Sequence, residues 1–89
     1  ATGVRVNLSE AEKLKDECWI KEFGNCDFNI CPISSCSMKI HKNSKPKDWN
    51  AGHIISEYNG GPTIVKNLRP ICIKCNLDMG SENWKDYDN

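Results

Sequence analysis

Three polar residues and two cysteines in the second half of the chain have types and spacing suited to chemistry on a phosphate. The extended-looking stretch Gly52-His53-Ile54-Ile55 presents one histidine, the side chain that ordinarily gains and loses a proton near neutral pH. Asn67-Leu68-Arg69-Pro70 adds an amide placed to support it, and Cys72-Ile73-Lys74-Cys75-Asn76 adds a second amide beside a pair of thiols. Two cysteines three apart lie about one helical turn apart. There they grip the same ion, whereas a disulfide between them would be strained. Packing alone does not account for this combination, and metal-assisted chemistry on a phosphate does.

The 89 residues make one domain at most. A chain of this size buries only about 60–65% of its unfolded surface, so a covalent or metal staple is expected beside the core. Six cysteines could provide it: Cys18, Cys26, Cys31, Cys36, Cys72 and Cys75. In a secreted chain they would suggest three disulfides; inside a cell, paired short spacings suggest zinc. Cys31-x4-Cys36, with Pro32 beside its first cysteine, matches Cys72-x-x-Cys75 as a second knuckle, giving a four-thiolate structural zinc site. Cys26, five residues before Cys31, is an alternative ligand. Cys18 falls in an apolar helical stripe and reads as a core thiol.

The formal net charge is zero, which argues against a generic nucleic-acid binder. Its distribution is more telling. From Lys39 to Cys75 seven cationic side chains face two carboxylates, a net of +5, and the remainder carries −5. The basic half is the half with the histidine, as a phosphate-facing surface requires. Lys42 to Lys47 taken alone also fits a solvated loop. With no signal peptide or long apolar run visible, an intracellular location (cytoplasm or nucleus of a host cell) is expected, with no membrane partner.

These residues need elements to position them. Ser9-Glu10-Ala11-Glu12 reads as a capping box opening a helix from about Glu10 to Phe23, ended by Gly24. Asn25 to Ser37 is turn-rich, Ser37 to His41 suggests a short strand, and Lys42 to Asn50 a basic loop. Gly52 to Ser56 reads as a strand, Asn59-Gly60-Gly61-Pro62 as a turn, and Thr63-Ile64-Val65 as the returning strand of a hairpin. Pro70 suits the first turn of a helix that ends at Gly80, and Ser81 to Tyr87 suggests a last short helix carrying Trp84.

In this order and spacing, Gly52-His53-Ile54, Asn59-Gly60-Gly61, the run from Asn67 to Cys72, Cys75-Asn76 and Met79-Gly80 resemble the HNH endonucleases of the ββα-metal superfamily. The resemblance is to zinc-stapled versions of the kind encoded by large DNA viruses and mobile elements. It is strong over residues 52–80 and weaker upstream, from Trp19 through the cysteine knuckle.

The resemblance implies an α+β fold: a small ββα-metal core over 50–80, a cysteine knuckle over 25–41, and a supporting helix in 1–24. It implies a DNA endonuclease in which His53 is the general base, Asn67 orients its imidazole, and Asn76 binds Mg²⁺ or Mn²⁺. Arg69, Lys66, Lys74, Lys45 and Lys47 would contact phosphates. Many members carry an acidic ligand where Gly52 stands and a histidine where Asn76 stands. Another ligand could come from His41, Asp48 or Asn50. Trp49 suits either packing or base stacking. The competing readings are a non-catalytic zinc module binding DNA or protein, and a disulfide-rich secreted domain.

Overall fold

The computed structural model describes residues 10–88. Helix α1 spans Glu10–Phe23, as the sequence predicts, and closes at Gly24, whose amide donates to the Ile20 carbonyl at 2.8 Å. The capping box at Ser9 and the first nine residues of the supporting segment lie outside the described residues. The inner face of α1 buries Cys18 and Trp19 completely.

Strands β1 (Phe28–Ile30) and β2 (Lys39–His41) pair antiparallel, with Phe28 opposite His41 and Ile30 opposite Lys39. β1 was not expected: three residues are too few to show a period of two, and only the pairing with β2 defines them as a strand. The Cys31 amide donates to the Met38 carbonyl at 2.9 Å, closing the hairpin around the first cysteine knuckle.

The central unit is a second antiparallel pair, β3 (Trp49–His53) and β4 (Leu68–Cys72), followed directly by α2 (Ile73–Met79). Its register sets Trp49 against Cys72, Gly52 against Arg69 and His53 against Leu68. Three expectations are corrected here, the first being that the strand expected over Gly52 to Ser56 instead runs from Trp49 to His53, taking in the end of the presumed basic loop. Thr63-Ile64-Val65 is not the returning strand, and Pro70 lies within β4 and does not open a helix. In a two-stranded ribbon alternate amides point away from the partner, so a proline need not remove a ladder bond. The gain is burial: Leu68, Pro70, Ile71 and Cys72 are all buried in β4. The helix therefore begins after Cys72, whose sulfur accepts from the Cys75 amide at 3.4 Å and caps it. Helix α3 (Trp84–Tyr87) closes the chain where a short helix was expected.

The core gathers around three tryptophans. Trp19 and Trp49 lie 5.0 Å apart between centroids, and Ile40, Ile71 and Trp84 complete the cluster. Trp49 is thus a packing residue, with its Nε1 donating to the Lys42 carbonyl at 3.3 Å. Arg69 binds both carboxylate oxygens of Glu22 at 3.0 Å, and its guanidinium carbon sits 4.6 Å from the Trp84 ring centroid. It ties α1, β4 and α3 together: a partly buried bidentate pair with a face-on aromatic is a scaffold joint, with which any phosphate expected at Arg69 would compete. Arg69→Met should cost about 1–3 kcal/mol in urea unfolding and leave the salt dependence of DNA binding unchanged. A reduced salt slope at unchanged stability would return Arg69 to the nucleic-acid interface.

Candidate active site and metal centre

The four cysteines singled out by spacing converge. The sulfurs of Cys31, Cys36, Cys72 and Cys75 all lie within 4.8 Å of one another, and Cys36 Sγ and Cys72 Sγ are 3.7 Å apart. A tetrahedron with metal–sulfur bonds of about 2.3 Å has edges of about 3.8 Å, so the cluster could hold a zinc ion with little adjustment. The Cys72 amide donates to Cys31 Sγ at 3.4 Å, which favours the thiolate form. Burial pushes the Cys31 thiol up to about 11 and raises Cys75 further, whereas a hydrogen bond from the Met38 amide lowers Cys36. Cys26 is elsewhere: its sulfur lies 3.6 Å from the Phe23 carbonyl and accepts from Asn29. The cluster joins the knuckle between β1 and β2 to the junction of β4 and α2.

His53, at the end of β3, and Asn76, on α2, border two clefts and form a saddle between them. One cleft, of about 370 Å³, is lined also by Gly52, Glu57, Tyr58 and Glu82. The other, of about 420 Å³, is lined by Leu14 and Lys15 of α1 together with Asn50 and Thr63. Gly52 is packed hard. A Cβ there would come within 2.9 Å of Ile71 Cγ2 and 3.6 Å of Asn76 Oδ1, so the position leaves no room for an acidic side chain without a shift of Ile71. Of the three further ligand candidates, Asn50 shares a cleft with His53 and Asn76. His41 and Asp48 instead bond each other, with His41 Nδ1 2.8 Å from Asp48 Oδ2. Ser44 and the His41 amide also donate to that carboxylate, so the group is the closure of the basic loop.

Asn67 is placed differently from the expectation. Its Oδ1 accepts the Ile55 amide at 2.9 Å, and its Nδ2 donates to the Ile55 carbonyl at 3.0 Å and the Pro62 carbonyl at 2.9 Å. The hydrogen-bond partner of the imidazole is Thr63, with His53 Nε2 and Thr63 Oγ1 3.1 Å apart. Asn67 therefore acts on the loop from residue 54 to 67, whose shape brings Thr63 to the ring. Gly61 explains why side chains are excluded there: a Cβ would fall 1.8 Å from the Ile55 carbonyl oxygen and 2.8 Å from Asn67 Nδ2. Its neighbour Gly60 has φ of 86°, a left-handed conformation favouring glycine. Asn83 braces the same loop, accepting from the Ser56 amide and Asn59 Nδ2. Tyr58 stands on this loop 83% exposed, at the rim of the first cleft.

The predicted phosphate-binding lysines are dispersed. Lys45 and Lys47 lie exposed on the loop before β3, and Lys66 is exposed just before β4. Lys74 lines a separate apolar cleft with Met38 and Leu77. Lys15, Thr63, Glu57 and Glu82 were not singled out from the sequence, because only folding brings them to the saddle.

Among comparisons with known proteins, the family model described as HNH endonuclease matches residues 31–82, more than half of the chain. The match spans all four clustered cysteines, His53, Asn67 and Asn76. No curated protein and no solved structure matches significantly.

Two outcomes follow from this geometry. Metal analysis should find about one zinc per chain, and a chelator should lower the unfolding midpoint. Each thiol must lose its proton to bind, so zinc retention should be greatest at alkaline pH and fall as the solution is acidified. A midpoint indifferent to both treatments would remove the metal clamp. For Asn67→Ala, loss of three partly buried bonds to backbone should cost about 1–3 kcal/mol and speed amide exchange at Ile55, with zinc content unchanged. Continued protection of that amide would show that the loop holds its shape without the asparagine.

Proposed function

The chain belongs to the HNH endonuclease family, and from that premise we propose that it hydrolyses phosphodiester bonds in DNA. The observation that carries this reading is the saddle: a histidine and an unencumbered carboxamide share two clefts on a ββα unit. His53 is the general base that takes a proton from the attacking water. Thr63 Oγ1, 3.1 Å from Nε2, orients the ring through a hydrogen bond that the hydroxyl can make as donor or acceptor. Asn67 is a positioning residue: its bond to the Pro62 carbonyl sets the backbone next to Thr63.

Asn76 Oδ1 fits a hard divalent ion, Mg²⁺ or Mn²⁺, because it is a neutral oxygen donor facing a water-accessible cleft that also carries Glu57 and Glu82. Such an ion supplies charge neutralisation for the scissile phosphate and the departing 3′-oxygen. The cysteine cluster, loaded with zinc, has no open coordination position and serves the scaffold. Residues 1–89 then act as a single nuclease domain inside the cell, with DNA as partner.

A nicking assay with a divalent ion tests this. His53→Ala should lower the cleavage rate by about 10²–10⁴-fold with zinc content and fold retained. Thr63→Val should lower kcat and move the pH profile, and Thr63→Ser should restore both. Cleavage that survives His53→Ala would overturn the assignment of the base. DNA binding without cleavage under any divalent ion would instead favour the non-catalytic module.

A further inference from the structure

The two sides of the saddle carry opposite charge. Glu57 and Glu82 line one cleft, and Lys15 of α1 lines the other. Lys15 also lines an adjoining notch of about 110 Å³ with Lys42, Asn43, Lys47 and Trp49, with Glu12 and Asp16 at its α1 edge. The notch and the cleft beside His53 both border this one side chain.

The ammonium groups are held in place from several directions. Lys15 Nζ and Lys47 Nζ lie 5.3 and 5.4 Å from the centroid of the Trp49 ring, within cation–π range. Lys47 also donates to the Lys42 carbonyl at 2.7 Å, which leaves it two further donors. Lys42 pairs with Asp16 at 3.0 Å. Two cations sharing one indole repel each other. Burial and the charge of Lys47 lower the pKa of Lys15, against the opposing pull of Glu12. An anion in the notch relieves that crowding.

We infer that the phosphodiester backbone of the substrate leaves the saddle on the Lys15 side and seats a phosphate in the notch formed by Lys15, Lys42 and Lys47. This rests on the nuclease reading and adds a direction to it. Phosphates are repelled from the cleft of Glu57 and Glu82, which suits the divalent ion, and are drawn across α1 toward the basic loop, where Lys45 continues the track. Lys15 thereby becomes a substrate-binding residue, although it comes from the acidic part of the sequence.

The test measures DNA binding by fluorescence anisotropy in the His53→Ala protein with Ca²⁺, across a range of salt, on short labelled duplex and single-stranded DNA. Lys15→Gln and Lys47→Gln should each weaken binding to every sequence and reduce the salt slope by about 0.9 on duplex or about 0.7 on single strands. Lys15→Arg and Lys47→Arg should retain the slope, separating charge from packing. Lys21→Gln and Lys85→Gln, exposed elsewhere, should leave it unchanged. Intact binding with an unaltered slope in both glutamine variants overturns the path and leaves the nuclease reading standing. Absence of DNA binding by the parent protein overturns both.

Discussion

Cys72 is the residue on which the architecture turns. It ends β4 opposite Trp49, caps α2 by accepting the Cys75 amide, and stands in the four-sulfur cluster. A strand and a helix joined without an intervening loop have a fixed mutual angle only if something holds the junction. Here the holding groups are two cysteines of a distant hairpin. His53 lies on the partner strand and Asn76 lies one residue beyond Cys75 on α2, so their separation is inherited from that junction. The small chain reaches this rigidity without a large core, as expected where apolar burial alone is marginal.

A second constraint works on the loop between β3 and β4. Such a span would ordinarily be mobile, and here it has to deliver a hydroxyl to an imidazole. Asn67 meets backbone groups at Ile55 and Pro62, Asn83 meets Ser56 and Asn59, and the Trp84 amide donates to the Ile54 carbonyl at 2.8 Å. Polar side chains thus substitute for the ladder that a tight hairpin would have supplied.

What the sequence made legible was local. The stripe of α1, the α3 segment and the two cysteine knuckles depend on spacing within a few residues, and each reads directly. The register of β4 did not, because Pro70 carries a stronger helix-start signal than strand signal until its burial against β3 is known. The destination of Asn67 could not be read either: a carboxamide binds whatever the fold brings to it, and here that is backbone. Arg69 finds Glu22 47 positions away, and Lys15 reaches Trp49 from a different element of the fold. A linear charge count therefore could not show that Arg69 is paired with Glu22 or that Lys15 lies over the Trp49 ring.

The Arg69 joint has a further consequence for where the folding unit ends. The family-matched residues, 31–82, contain Arg69 but neither Glu22 on α1 nor Trp84 on α3. Excised at those limits, the motif would keep its sulfur cluster and its saddle residues while exposing Ile71 and an uncompensated guanidinium. The family-matched segment and the smallest autonomous body are thus different objects: the signature lies in the middle of the chain, and part of its cohesion comes from the helices on either side.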